Sequence, residues 1–240
     1  MSRFAGQWAG FGLGAALVAT IVAGVIMLHS TREPRVAIGN DEIYYYRRAT
    51  KEDALALGKA LQGTGFFNGR GTSVLLWMGG GPTVVSFVVD DGAWNHPRVV
   101  SNFTELGRRI ATSVGGFPIQ VHLVDAHRII RRKMNVGKLK VGTKDWIYYF
   151  GDATEADAKA LAGALRTEGY FTDRGATVAL LKGEGTVISF VVQDDLWNQP
   201  AVISTLALLV RRVAPPVGGL PIELRLLDGN MEIKRVERVR

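Results

Sequence analysis

Few residues in this chain could carry chemistry. The histidines are His29, His96, His122 and His127, and the candidate acids are Asp53, Asp91 and Asp125. Imidazole titrates nearest neutrality of the unperturbed side chains, and His122 and His127 are close enough in sequence to share a ligand. Paired carboxylates act as acid and base only where the fold makes them converge. There is no cysteine, which removes disulfides, thiol nucleophiles and thiolate metal sites. Neither Gly-x-Ser-x-Gly nor His-Glu-x-x-His occurs, and no dinucleotide fingerprint is found.

The chain supplies its own comparison, because residues 36–134 reappear in edited form over residues 135–240. Ile43-Tyr44-Tyr45-Tyr46 returns as Ile147-Tyr148-Tyr149-Phe150. Gly65-Phe66-Phe67-Asn68-Gly69-Arg70-Gly71 returns as Gly169-Tyr170-Phe171-Thr172-Asp173-Arg174-Gly175. Trp94-Asn95-His96-Pro97 returns as Trp197-Asn198-Gln199-Pro200. Three histidines lie within the first copy, and none of them is kept: His96, His122 and His127 become Gln199, Arg225 and Asn230. The aspartates are kept as Asp157, Asp194 and Asp228, at places where helix capping and turns account for them. The repeat therefore predicts no catalytic residue, no metal and no cofactor.

What both copies keep on loops is Arg70, Trp94, Arg174 and Trp197. In Trp-Asn-x-Pro the asparagine would cap the helix that follows while the tryptophan packs beneath the turn. Read functionally, the same four residues form a candidate recognition surface, with the arginines placed to meet an anion.

These residues need positioning elements. Each copy reads as strand, helix, strand, strand, helix, strand. Thr50 with Asp53, and Thr154 with Asp157, mark capping-box helix starts. Gly79-Gly80-Gly81-Pro82 joins two strands as a hairpin. The order β-α-β-β-α-β predicts an α+β fold of two tandem ferredoxin-like repeats, each an antiparallel sheet with both helices on one face. Alternation puts Val74, Leu76, Val85, Phe87, Ile119, Val121 and Leu123 toward the helices. Leu75, Trp77, Ser86, His122 and Val124 fall on the other face, which is too apolar for open water over its full area.

No charge occurs over residues 4–28, a run longer than the ~20 apolar residues that span a bilayer. The sequence therefore predicts a short tail over 1–8, a transmembrane helix over 9–29 and a linker over 30–35. Gly6, Gly10 and Gly14, with Ala15, Ala19 and Ala23, give a small-residue stripe for helix–helix packing. The implied partners are another transmembrane subunit or a second copy, with membrane lipid around the span. The chain would be a single-pass signal anchor with its repeats on the extracytoplasmic (periplasmic) side.

The net charge is +7, from 29 Lys and Arg against 22 Asp and Glu. Basic residues gather where each copy ends, among them Arg128, Arg131, Lys138 and Lys140, and read as solvated edge-strand charges. The third strand lacks the Lys/Arg-Gly-Phe/Tyr-Gly/Ala-Phe-Val pattern of RNA-recognition modules, so no nucleic-acid partner is predicted. The leading expectation is a non-enzymatic binding or scaffolding subunit of a membrane complex. The alternatives are a sensor or enzyme using a cleft between the copies, and a basic domain lying on anionic lipid.

Overall fold

In the computed structural model, which describes residues 33–240, edge strand β1 (Arg35–Ile38) turns back antiparallel into β2 (Asp41–Arg47). Asp41, the first residue of β2, is only 1% exposed. Its carboxylate accepts N–H bonds from Gly69 at 2.8 Å, Gly71 at 3.0 Å and Thr72 at 2.8 Å. The amide of Glu42 donates to the Thr72 carbonyl at 2.9 Å. These bonds fasten the loop after helix α1 (Lys51–Gly63) to the start of β2. The next strand, β3 (Ser73–Met78), therefore begins beside β2 and runs parallel to it, from Glu42↔Ser73 to Arg47↔Met78.

A glycine hairpin leads antiparallel into β4 (Thr83–Val88). Helix α2 (Pro97–Ile110) crosses over to β5 (Ile119–Val124), which pairs parallel with β4. The long strand β6 (Ile130–Val141) follows. The chain divides into two compact units between Lys133 and Met134.

The second unit repeats the plan through β7 (Asp145–Gly151), α3 (Glu155–Thr167), β8 (Thr177–Lys182), β9 (Thr186–Val191), α4 (Pro200–Val213), β10 (Ile222–Leu227) and β11 (Ile233–Val239). Asp145 is its Asp41. It accepts amides from Asp173, Gly175 and Ala176, each at 2.8 Å.

Within each unit the strands follow one another in hydrogen-bonded order, β1 to β5 in the first and β6 to β11 in the second, with parallel and antiparallel pairs mixed. This corrects the ferredoxin-like expectation. That fold interleaves its two β-α-β units into an antiparallel sheet, whereas here each helix returns the chain to the strand next door. The order β-α-β-β-α-β, here preceded by one more strand in each unit, is common to both arrangements. The aspartate clamps select the sequential one.

Both helices of a unit cover one face. In the second unit Ile147, Tyr149, Val178, Leu180, Ile188, Phe190, Leu224 and Leu226 share a core with Leu161 and Leu165 of α3 and Leu206, Val210 and Val213 of α4. In the first, Phe103 of α2 packs on Phe87 at 5.0 Å between centroids. Gly58 of α1 sits so close to Ile38 that a Cβ there would collide with it. The two crossovers of a unit join strand pairs of opposite direction over the same face. One of them must therefore be left-handed, against the strong right-handed preference of such connections.

Both capping boxes form. Thr50 Oγ1 accepts from the Asp53 amide at 3.1 Å, and Asp53 accepts from the Thr50 amide at 2.9 Å. Thr154 and Asp157 do the same at 3.2 and 2.8 Å.

The expected span over 9–29, with Gly6, Gly10, Gly14, Ala15, Ala19 and Ala23, lies outside the described residues. Among the described residues no helix is long and apolar enough to cross a membrane. The reading as a single-span, extracytoplasmic subunit of a membrane complex is corrected accordingly and is not carried forward.

The clamp yields a prediction. Removing the buried Asp41 carboxylate takes the acceptor from three amides of a partly exposed loop, and each lost bond is costly. Asp41→Ala should lower stability by about 2–4 kcal/mol in denaturant unfolding, and Asp145→Ala by a similar amount. A change below about 0.5 kcal/mol would show that β3 finds its place without the clamp.

Candidate functional site

The Trp-Asn-x-Pro corners come first because both copies keep them. Trp94 and Asn95 lie in a short 3-10 turn (Ala93–Asn95), and Trp197 and Asn198 in another (Leu196–Asn198). The residue at each helix cap is His96 or Gln199, and neither donates or accepts a side-chain capping bond. The asparagine is thus not the cap, contrary to expectation.

Beside each tryptophan sits an acid–cation pair. Asp125 accepts amides from His127 and Ile129 at 2.9 Å and Arg131 Nε at 2.8 Å. The Arg131 guanidinium lies 5.5 Å from the Trp94 ring centroid. Asp228 accepts amides from Asn230 and Glu232 at 2.9 Å and pairs with Lys234 at 3.0 Å, and Lys234 lies 6.0 Å from the Trp197 centroid. Burial pushes the Asp125 carboxyl up, but the Ile129 amide, Arg131 and the His127 amide outweigh it and hold the group below its usual range. The Glu232 amide and Lys234 do the same for Asp228. Each such acid stays ionised and braces a turn.

Arg70 and Arg174 project from the clamped loops and are exposed. The structure provides a cavity of about 340 Å³ lined by Arg47, Arg48, Met78, Gly79 and Gly80. None of Arg70, Trp94 and His122 lines it. Among the described residues, no group of three or more His, Asp or Glu comes together to hold a metal.

The helix-free sheet faces differ most between the copies. In the first unit Tyr44, Leu75, Ser86 and His122 stand in one row across four strands. Tyr46 stacks on Trp77 at 4.5 Å and 21°. Arg128 lies 4.4 Å over the Tyr44 ring and donates to the Tyr46 hydroxyl at 3.2 Å and to Glu33 at 2.8 Å. Burial pushes the Tyr46 phenol up to about 12, against the opposing charge of Arg128. His122 is buried, its Nε2 has no hydrogen-bond partner, and burial aided by the charge of Lys133 lowers its pKa to about 4. It stands beside Ser86 with no hydrogen bond between them, so no nucleophile–base pair forms.

In the second unit the same face carries cations that rest on aromatic rings. Lys138 and Lys140 on β6 face Tyr148 and Trp146 on β7. The Lys138 ammonium is 3.9 Å from the Trp146 centroid and 5.1 Å from that of Tyr148, and Lys140 is 5.7 Å from Trp146. Tyr148 and Phe150 lie side by side with ring planes within 8°. In the first unit Arg35, Ala37, Glu42 and Tyr46 stand where the second has Lys138, Lys140, Trp146 and Phe150. There Glu42 occupies the position of Trp146 and pairs with Arg35, the counterpart of Lys138, at 2.9 Å. Replacing that glutamate by tryptophan leaves Lys138 and Lys140 without an acid partner among the described residues. These lysines are therefore not the solvated edge charges expected from the sequence. The strand-to-strand register that seats them on Trp146 could not be read locally, although the Glu42/Trp146 difference was visible in the duplication.

His122 makes stability pH-dependent. Its folded pKa lies below the unfolded value of about 6.5, so the unfolded chain binds the proton first. The His122 contribution is full above about pH 6.5 and is lost as pH falls toward 4, amounting to on the order of 3 kcal/mol. His122→Leu should flatten the stability profile in that window. An unchanged profile in denaturant melts at pH 7 and pH 4.5 would refute the assignment. No known protein family, curated protein or solved structure matches the chain.

Proposed function

We propose that this chain is a binding protein whose second unit takes an acidic segment of a partner protein across its helix-free sheet face. One observation carries the reading: Lys138 and Lys140 lie over Trp146 and Tyr148 on a half-exposed face, with no acid partner among the described residues. In the first unit the equivalent cation is closed off by Glu42. Ammonium groups held on aromatic faces keep a fixed position at small entropic cost. They present charge where a carboxylate can reach it, while the rings give the apolar contact area typical of recognition surfaces. The Lys138 ammonium occupies a face of Trp146, which a stacked nucleobase would need, so an acidic peptide fits better than a nucleic acid.

The test uses the full chain and a synthetic Asp/Glu-rich peptide, followed by tryptophan fluorescence. Binding at low ionic strength should weaken as salt rises. Lys138→Gln/Lys140→Gln should weaken it by at least about tenfold, or ~1.4 kcal/mol. Equal affinity of the double variant would sink the proposal. Tighter, lysine-dependent binding of a single-stranded oligonucleotide would replace it with the nucleic-acid reading.

A further inference from the structure

The cavity at the carboxyl ends of β2 and β3 belongs to neither the corners nor the lysine face. Arg47 and Arg48 line it together with Met78, Gly79 and Gly80. The structure gives neither guanidinium an ion pair or hydrogen bond among the described residues. Arg35, Arg108, Arg109, Arg128, Arg131, Arg212, Arg225 and Arg235, by contrast, each meet an acid.

The duplication shows that the unpaired arginines are not demanded by the fold. The counterpart of Arg47 is Gly151, and both have left-handed backbone, φ 64° and 69°. A side chain adopts that conformation at a cost that glycine avoids. At Gly151 a Cβ would collide with the Lys182 carbonyl oxygen, so the second unit excludes a side chain where the first keeps an arginine. Arg48 is replaced by Asp152, Met78 by Lys182 and Gly80 by Glu184. The corner carries formal charge +2 in the first unit, from Arg47 and Arg48. In the second it carries −1, from Asp152 and Glu184 against Lys182.

We infer that this corner is a binding site for a small organic phosphate. Guanidinium groups match phosphate oxygens in forked, two-bond geometry. Two of them suit the dianion of a phosphate monoester better than the single charge of a carboxylate. Met78 offers an apolar flank for the organic part, and the side-chain-free Gly79-Gly80 turn leaves the mouth open. The volume of about 340 Å³ admits a ligand larger than inorganic phosphate alone. The carboxyl ends of parallel strands are where open α/β sheets place ligands generally.

Calorimetry on the full chain with phenyl phosphate, inorganic phosphate and phenylacetate tests this site. Phenyl phosphate should bind one site at millimolar concentration or below, and about tenfold tighter than phenylacetate. Affinity should fall near pH 5, where the ester loses its second charge. Arg47→Gly installs the residue the second unit uses there, so its thermal melt should match or exceed the parent. It should nonetheless weaken phenyl phosphate about tenfold, as should Arg48→Gln, and the double variant should abolish binding. Unchanged affinity in the single variants would overturn the site, as would no heat at about 10 mM ligand. Equal affinity for phenylacetate would overturn the phosphate assignment. None of these outcomes bears on Lys138 and Lys140.

Discussion

The structure of each repeat depends on one buried carboxylate. Asp41 and Asp145 each bind three amides of a loop that lies 28 to 31 residues away. A buried carboxyl group with three N–H partners has its oxygens satisfied, which offsets the cost of burying it. The clamp does more than close a loop. It sets the register of the first parallel pair, and the hairpin carries that register to the third and fourth strands. The face that receives the helices, the face left bare and the cavity at the ends of the first two parallel strands all follow from where that pair begins.

With the scaffold held in common, specificity resides in the positions where the copies part. On the helix-free face of the first unit, cations are paired with acids or pinned on tyrosines. On that of the second, lysines rest on a tryptophan and face outward. At the corner that follows the first central strand the charges are reversed between copies. The corners marked by Trp94 and Trp197 behave differently. Both have an aspartate, a cation and an indole in the same relation, as a bracing element would, and the cation changes from arginine to lysine without disturbing the pattern.

Much of the fold was legible in the sequence because it rests on short-range rules. Thr50 with Asp53 spells a helix start within four residues, and Gly79-Gly80-Gly81-Pro82 spells a hairpin. The alternation around Val74 and Phe87 sorts the two faces. Strand order was not legible, since it turns on Asp41 reaching a loop about thirty residues on. The duplication kept that aspartate in both copies, but a lone acid at a strand start resembles any other turn residue. The site was less legible than the fold. Arg70, Trp94, Arg174 and Trp197 were found by their persistence, which selects for what the scaffold needs. Arg47, Arg48, Lys138 and Lys140 are not kept as such, and only a register and a backbone angle set them apart.

The sequential strand order has a consequence for how the chain is made. Within each unit every strand after the first pairs with the one synthesised just before it, and no strand must wait for a distant segment to fill a gap between neighbours. Contacts stay close in sequence for a sheet protein, which keeps loop-closure entropy low and the search short. As the chain leaves the ribosome, each new strand meets an edge already in place and covers it. The exposed edge at any moment is a single strand, so the interval in which unpaired backbone could recruit another nascent chain is brief.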